Sequence, residues 1–204
     1  MISIVDYGLG NIQAFLNVFK RLNIAARRVT DAGELAGATK IVLPGVGAFD
    51  HAMQRLCESG MRETLDKLVL DEKVPVLGVC VGMQILARSS DEGELEGLGW
   101  IDGHVKLLDA DTDGERVRLP HMGWNDVRPA ASSGIFSKLG DEPRFYFLHS
   151  YYFECTDEAD VMARSNYGSE FCSAVSRGNV YGVQFHPEKS HEFGTRLLQN
   201  FAEL

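Results

Sequence analysis

The stretch Gly78-Val79-Cys80-Val81-Gly82 constrains this chain more than any other. It follows the apolar run Val74-Pro75-Val76-Leu77, which reads as a short buried strand. It precedes Met83-Gln84-Ile85-Leu86-Ala87, which reads as the opening turns of a helix. A cysteine thus sits at a strand-to-helix turn with a glycine two residues away on each side, the pattern of a nucleophile elbow with Cys in place of Ser. So sharp a turn strains the central residue and leaves no room for bulky neighbours. It points the sulfur out of the sheet, toward helix N–H groups that favour a thiolate. The alternative is a buried structural thiol, since free Cys is among the most buried residue types.

Apolar periodicity places the elbow in an α/β frame. Ile2-Ser3-Ile4-Val5 reads as a first strand, and the glycine-rich turn Asp6 to Asn11 leads to Ile12, Phe15, Leu16 and Phe19 at helical spacing. Ile24 to Val29 and Lys40 to Leu43 read as further strands, the latter ending at Pro44-Gly45-Val46-Gly47. Phe49, Met53 and Leu56, then Met61, Leu65, Leu68 and Val69, repeat at helical spacing. Alternating strand and helix implies βαβ units, a parallel sheet and right-handed crossovers. Ligands then belong at the carboxyl ends of the strands, where the turns at 8–10, 45–47 and 78–82 all fall. In the second half, Trp100 to Leu108, Val117 to Leu119, Phe145 to Leu148, Phe171 to Val175 and Val180 to Phe185 read as strands. Turn-rich segments at Asp109 to Gly114 and Ala130 to Gly134 separate them, which suggests a more antiparallel extension of the same sheet. Phe193, Leu197, Leu198 and Phe201 predict a closing helix. With no repeat or linker, residues 1–204 read as one domain with an open, mostly parallel sheet flanked by helices.

A net charge of −9 argues against nucleic acid or an anionic membrane as the main partner. Cys57, Cys80, Cys155 and Cys172 are scattered with no Cys-x-x-Cys pair. Met1-Ile2-Ser3-Ile4-Val5-Asp6 lacks a basic region leading into an apolar one, and no apolar stretch is long enough for a bilayer. A cytoplasmic chain with four free thiols is the simplest expectation.

Tyr181 to Glu188 is the second decisive stretch. His186 and Glu188 lie two residues apart at a strand end and lean to the same face. Pro187 cannot donate to a ladder and disfavours helix for His186, so imidazole and carboxylate are held side by side. That is the base-plus-orienter half of a triad whose nucleophile would be Cys80. The bland alternative is a strand-end histidine beside a solvated charge. His186, Glu188 and His191 do not have the spacing of a helical metal motif, so no metal is expected. Acyl transfer also needs an oxyanion hole. The N–H of Val81 and the backbone of Gly45-Val46-Gly47 are the candidate donors. Asp6-Tyr7-Gly8-Leu9-Gly10-Asn11 has Gln13 where a dinucleotide fingerprint needs its third glycine, so no nucleotide cofactor is expected.

Pro44-Gly45-Val46-Gly47, Gly78-Val79-Cys80-Val81-Gly82-Met83-Gln84 and His186-Pro187-Glu188 together resemble the class I (triad) glutamine amidotransferases, in order and separation as well as residues. Within that group, Asp6 to Asn11, Gly97-Leu98-Gly99-Trp100, Pro120-His121-Met122-Gly123-Trp124-Asn125, Phe147 to Tyr151 and His186 to Ser190 resemble the glutaminase subunits of imidazole glycerol phosphate synthases. The resemblance implies a flavodoxin-like sheet, and a thiol that attacks the glutamine carboxamide, releases ammonia and leaves a glutamyl thioester for water to hydrolyse. It implies that Gln84 contacts bound glutamine, Glu92 pairs with its α-ammonium, and backbone at His149-Ser150-Tyr151 holds its α-carboxylate, beside Gly45 and Gly47. It implies no cofactor. It implies a heterodimer with a cyclase subunit, met near Asn11, Met122, Tyr146 and Lys189. Ammonia would pass through that partner to form imidazole glycerol phosphate and an aminoimidazole carboxamide ribonucleotide, in histidine biosynthesis. The triad alone fits other amidotransferase subunits (pyridoxal phosphate, anthranilate or GMP synthesis), a folate γ-glutamyl hydrolase, or a non-catalytic module of the same fold. Residues 120–125 favour the histidine-pathway reading.

Overall fold

The computed structural model describes residues 1–109, 111–112, 115–131 and 134–204. Ala110, Asp113, Gly114, Ser132 and Ser133, in the two expected turn-rich segments, lie outside the described residues. The first half runs β1 (Ile2–Val5), α1 (Ile12–Arg21), β2 (Ala26–Val29), α2 (Ala32–Leu35), β3 (Lys40–Gly45), α3 (Phe49–Glu58), α4 (Arg62–Asp66), β4 (Val76–Cys80) and α5 (Val81–Gln84). There follow β5 (Ser89–Ser90), β6 (Gly103–Leu107), β7 (Asp111–Thr112), β8 (Glu115–Arg116), β9 (His121–Asp126) and β10 (Arg128–Pro129). The chain ends with β11 (Arg144–His149), β12 (Tyr151–Cys155), β13 (Val161–Tyr167), β14 (Ser169–Arg177), β15 (Val180–Val183) and α6 (His191–Glu203).

Eight strands form the main sheet, in the order β10-β13-β14-β15-β4-β3-β1-β2. Strands β2, β1, β3, β4 and β15 pair in parallel, and β14, β13 and β10 extend the sheet antiparallel. The chain steps from β1 to β2 in one direction and from β3 to β4 in the other. Right-handed crossovers therefore put α1 and the α3–α4 pair on opposite faces. The switch point lies between β1 and β3, so a crevice opens at their carboxyl ends. Helix α1 shows why these segments fold as they do: Ile12, Phe15, Val18 and Phe19 are buried at helical spacing, and the Asn11 side chain caps the N–H of Ala14 at 3.1 Å.

The antiparallel extension of the sheet is present, but part of the second half leaves it. β11 pairs with β9 in one small sheet, and β12, β6 and β5 form another in that order. Several expected strands are shorter or displaced, and β15 ends at Val183 rather than Phe185. Ile24 gives its N–H to Phe19 O and belongs to the turn after α1, and the N–H of Val74 closes onto Leu68 O, so β4 starts only at Val76. Trp100 is tethered by its indole to Asp66 at 2.8 Å rather than laddered. Val117 to Leu119 is not a strand. Pairing begins after Pro120, which has no N–H to offer, and runs through His121–Asp126 instead.

The helix after Cys80 is a single turn, not the several predicted. Carbonyls of Ile85, Ala87 and Arg88 accept the N–H groups of Leu98, Gly99 and Gly97, so no helix can continue through them. Stabilisation of an anion at Cys80 therefore rests on the N–H groups of one turn, not on a long macrodipole.

Candidate active site

The sulfur of Cys80 sits where the sheet register brings glycines together. Gly45 is level with Cys80 across β3–β4, and Gly182 is level with Gly78 across β15–β4. Cys80 has φ +56° and ψ −116°, a conformation that costs an L-residue about 1–3 kcal/mol and needs its surroundings to hold it. Those surroundings are backbone at close range. A Cβ on Gly82 would lie 1.9 Å from Leu43 O, and one on Gly78 would lie 2.5 Å from Gly82 O. Gly82→Ala must therefore part α5 from β3. We expect a loss of about 3 kcal/mol, read as a lower denaturant midpoint. An unchanged midpoint would contradict this packing.

His186 follows β15, the strand beside β4, so its ring meets Cys80 from the neighbouring strand end. Its backbone is clamped by β11: the His186 N–H donates to Tyr146 O at 2.9 Å. The buried Ser190 hydroxyl donates to His186 O at 2.6 Å and accepts from the Tyr146 N–H at 3.0 Å. Phe185 stacks on Phe145 with centroids 4.0 Å apart and fixes the same junction apolarly. His186 Nδ1 lies 2.9 Å from Glu188 Oε1, and both side chains are almost fully buried. The carboxylate can only accept, so Nδ1 carries the proton and Nε2 is left for chemistry. Burial alone would lower the imidazole pKa. Hydrogen bonds to Cys80 and Glu188, and the negative charges of both, outweigh it and hold His186 at about 9.

That value sets a sign. With His186 protonated at neutral pH, kcat/KM for a substrate that needs the imidazolium falls as pH rises through about 9. Glu188→Gln removes a charge that raises the pKa, so the alkaline limb should move to lower pH. A limb that stays in place would mean that Glu188 does not tune the imidazole.

A cavity of about 150 Å³ opens over the sulfur. Of the four cysteines, all free, only Cys80 lines it. The expected residues Val46, Gly47, Val81, Gln84, Glu92, and His149 to Tyr151 line it with His186, and so does Lys189. Gly45 lies just behind, beside Gly82 and the Tyr7 hydroxyl. The Gln84 amide donates to Tyr151 O at 2.9 Å and to Gln184 Oε1 at 3.1 Å. One Glu92 oxygen accepts the Phe49 N–H at 2.9 Å, capping α3 from a distance. Among the expected partner contacts, Asn11, Met122 and Lys189 are exposed, and the Lys189 ammonium sits 5.8 Å above the half-buried Tyr146 ring. Sequence reasoning missed Ser190 and Gln184, whose amide lies 3.9 Å from the Cys80 sulfur. Gln184 stands two residues before His186, on the same face of a strand end, and that spacing was the available clue.

A sequence profile described as "Glutamine amidotransferase class-I" matches residues 3–204. The chain belongs to the class-I glutamine amidotransferase family. Among relatives of this amidotransferase, "Imidazole glycerol phosphate synthase subunit HisH" of Bdellovibrio bacteriovorus is 63% identical over 204 residues, covering all of both chains. The protein of the same description from Leptospira interrogans is 52% identical over the same span, again covering both chains. The fold of the class-I domain recurs in a crystal structure described as a glutamine amidotransferase, with TM-score 0.76 at 22% identity over 100% of this chain and 99% of that one. It recurs in the structure of PurLQS from Thermotoga maritima, with TM-score 0.75 at 18% identity over 99% and 97%.

Proposed function

We propose that the chain hydrolyses glutamine to glutamate and ammonia, and passes the ammonia to a cyclase partner making imidazole glycerol phosphate and an aminoimidazole carboxamide ribonucleotide in histidine biosynthesis. The observation that carries this is one cavity holding Cys80 on its elbow, His186 in contact with it and Glu188 behind His186. Full-length relatives described as subunits of imidazole glycerol phosphate synthase support the pathway and the need for a partner.

In the proposed reaction the Cys80 thiolate attacks the carboxamide carbon of glutamine. N–H groups of Val81 and Val46 receive the developing oxyanion. The His186 imidazolium gives its Nε2 proton to the departing nitrogen, so ammonia leaves and a thioester remains. His186, now neutral, takes a proton from water as the oxygen attacks the thioester. Collapse of that intermediate expels the thiolate and restores the starting pair. Gln84 and Glu92 orient the substrate, and the 149–151 backbone takes its α-carboxylate.

An apolar rim supports the partner surface. Val46 and Leu148 line the cavity and are exposed, and β9 adds the exposed Met122 and Trp124, Met122 directly opposite Leu148 in the ladder. Such a patch marks an interaction site. Among the described residues no helix is long and apolar enough to cross a membrane, and free thiols suit a reducing cytoplasm. The test is ammonia release from glutamine with and without the cyclase and its nucleotide ligand. Little release alone and strong release with both is the expected result. No release in the full complex would refute the reading.

A further inference from the structure

Two buried imidazoles at this end of the molecule take no part in the proposed reaction. His121 opens β9 and His149 closes β11, and they are partners in the ladder between them. His121 Nδ1 and His149 Nε2 are 2.9 Å apart. His149 Nδ1 lies 2.8 Å from Tyr151 O, and the Asn125 amide nitrogen lies 3.2 Å from His121 Nε2. The His121 ring is stacked between Phe147 and Tyr167, with centroids 4.8 and 4.0 Å away. Burial lowers both imidazoles, His121 to about 4 and His149 to about 3, where the nearby His121 and His186 also disfavour charge and the Tyr151 carbonyl opposes the fall.

With both rings neutral, the hydrogens have one arrangement. Tyr151 O can only accept, so His149 carries its proton on Nδ1 and offers a lone pair at Nε2. His121 must then donate from its own Nδ1 and accept at Nε2. The Asn125 amide supplies that donor and gives its other hydrogen to Asn166 O at 2.8 Å, while its oxygen accepts the Asp126 N–H at 2.8 Å. Reversing the links would face acceptor to acceptor at Tyr151 O and donor to donor at the Asn125 amide. At the far end, Tyr151 O receives both His149 and Gln84, which uses both its lone pairs. The chain thus closes the Ser150 turn that lines the cavity, and it begins on the strand that presents Met122 and Trp124 to solvent.

We infer that His121 and His149 form a one-directional hydrogen-bond relay that holds the 149–151 turn in place, so that His121 is a positioning residue for glutamine it does not touch. The role in glutamine binding rests on the function proposed above; the relay does not. His121→Phe keeps a ring between Phe147 and Tyr167 and removes the donor. In the full complex, KM for glutamine should rise about 5- to 10-fold, the worth of one hydrogen bond, with kcat within about 2-fold. His121→Asn places an amide nitrogen near the Nδ1 position and should recover most of that loss, which a purely structural role would not predict. An unchanged KM in His121→Phe, or equal damage from both variants, overturns the positioning role. Nitrogen-15 NMR of the wild-type chain without substrate tests the relay itself, and does so even if a variant fails to fold. Both rings should be neutral at pH 7 with the proton on Nδ1; an Nε2–H tautomer in either ring overturns it. Both Nδ1–H signals in a chain that releases no ammonia would remove the functional reading and the positioning role together, and keep the relay.

Discussion

Cys80→Ala should remove glutamine hydrolysis, by at least about 10⁴-fold, while fold and partner binding survive. The size of the loss follows from what Ala lacks: no other thiol lines the cavity, so no residue there can form the thioester. Survival of the fold follows from what Ala keeps. Its Cβ occupies the same site at φ +56°, so the strain of the elbow is unchanged. Apart from the hydrogen bond to His186, which Glu188 still holds, the contacts given up are weak: the sulfur lies 3.9 Å from both Leu148 O and the Gln184 amide. Ammonium salts should still drive the cyclase in the variant complex, because only ammonia crosses between the subunits in the proposed scheme. Two outcomes would sink the assignment. One is wild-type ammonia release from Cys80→Ala, and the other is loss of activity on replacing Cys57, Cys155 or Cys172 instead.

The legible part of this fold is the part built on local repetition. Helix α1 announces itself because Ile12, Phe15 and Phe19 share a face with a cap before them, and β1 and β3 are short, mainly apolar segments buried on both sides. The antiparallel half hides for physical reasons. In β13, Val161, Ala163 and Ser165 alternate with Met162, Arg164 and Asn166, but register shifts at Val161–Ala163–Arg164 break the pairing that gives alternation its meaning. In β9, Gly123 interrupts the pattern and Met122 and Trp124 face solvent, so a strand with exposed apolar side chains does not look like one shaped for a core. The one-turn length of α5 was set by Gly97 to Gly99, which no window around Cys80 contains.

The site divides along the same line. Cys80, His186 and Glu188 were readable because glycines and a proline punctuate the chain around them, and turn chemistry is local. The role of Ser190 was not, and that of Gln184 was hinted at only by its spacing from His186, because both depend on contacts with Tyr146 and Cys80 that form only in the fold. The histidine pair was equally hidden. Nothing in the residues of His121 or His149 says that they meet at 2.9 Å, since that depends on the register of a ladder formed across 28 positions.

The second large effect should come from Val46→Pro, which deletes one backbone N–H at the end of β3. Gly45 lies level with Cys80 in the ladder, so the next peptide stands beside the place where the oxyanion forms. Proline should be tolerated there. Gly45 ends a strand, and extended backbone is what a residue before proline prefers. Val46 is 40% exposed, so little packing is lost. Losing one oxyanion donor costs about 10²–10³ in rate, or roughly 3–4 kcal/mol. An effect of that size lets one peptide act as the switch for partner stimulation, provided that partner and ligand contact one of its states better than the other. Gly47, at φ +92°, would be the hinge on one side, while on the other a Cβ at Gly45 would strike Gly82 N at 2.6 Å, so glycine is required at both. In the stimulated complex Val46→Pro should therefore lose most of kcat with KM for glutamine little changed. Val46→Ala, which keeps the N–H, should stay near wild type. Full stimulation in Val46→Pro, or equal loss in Val46→Ala, would show that the N–H at residue 46 is not the donor on which stimulation depends.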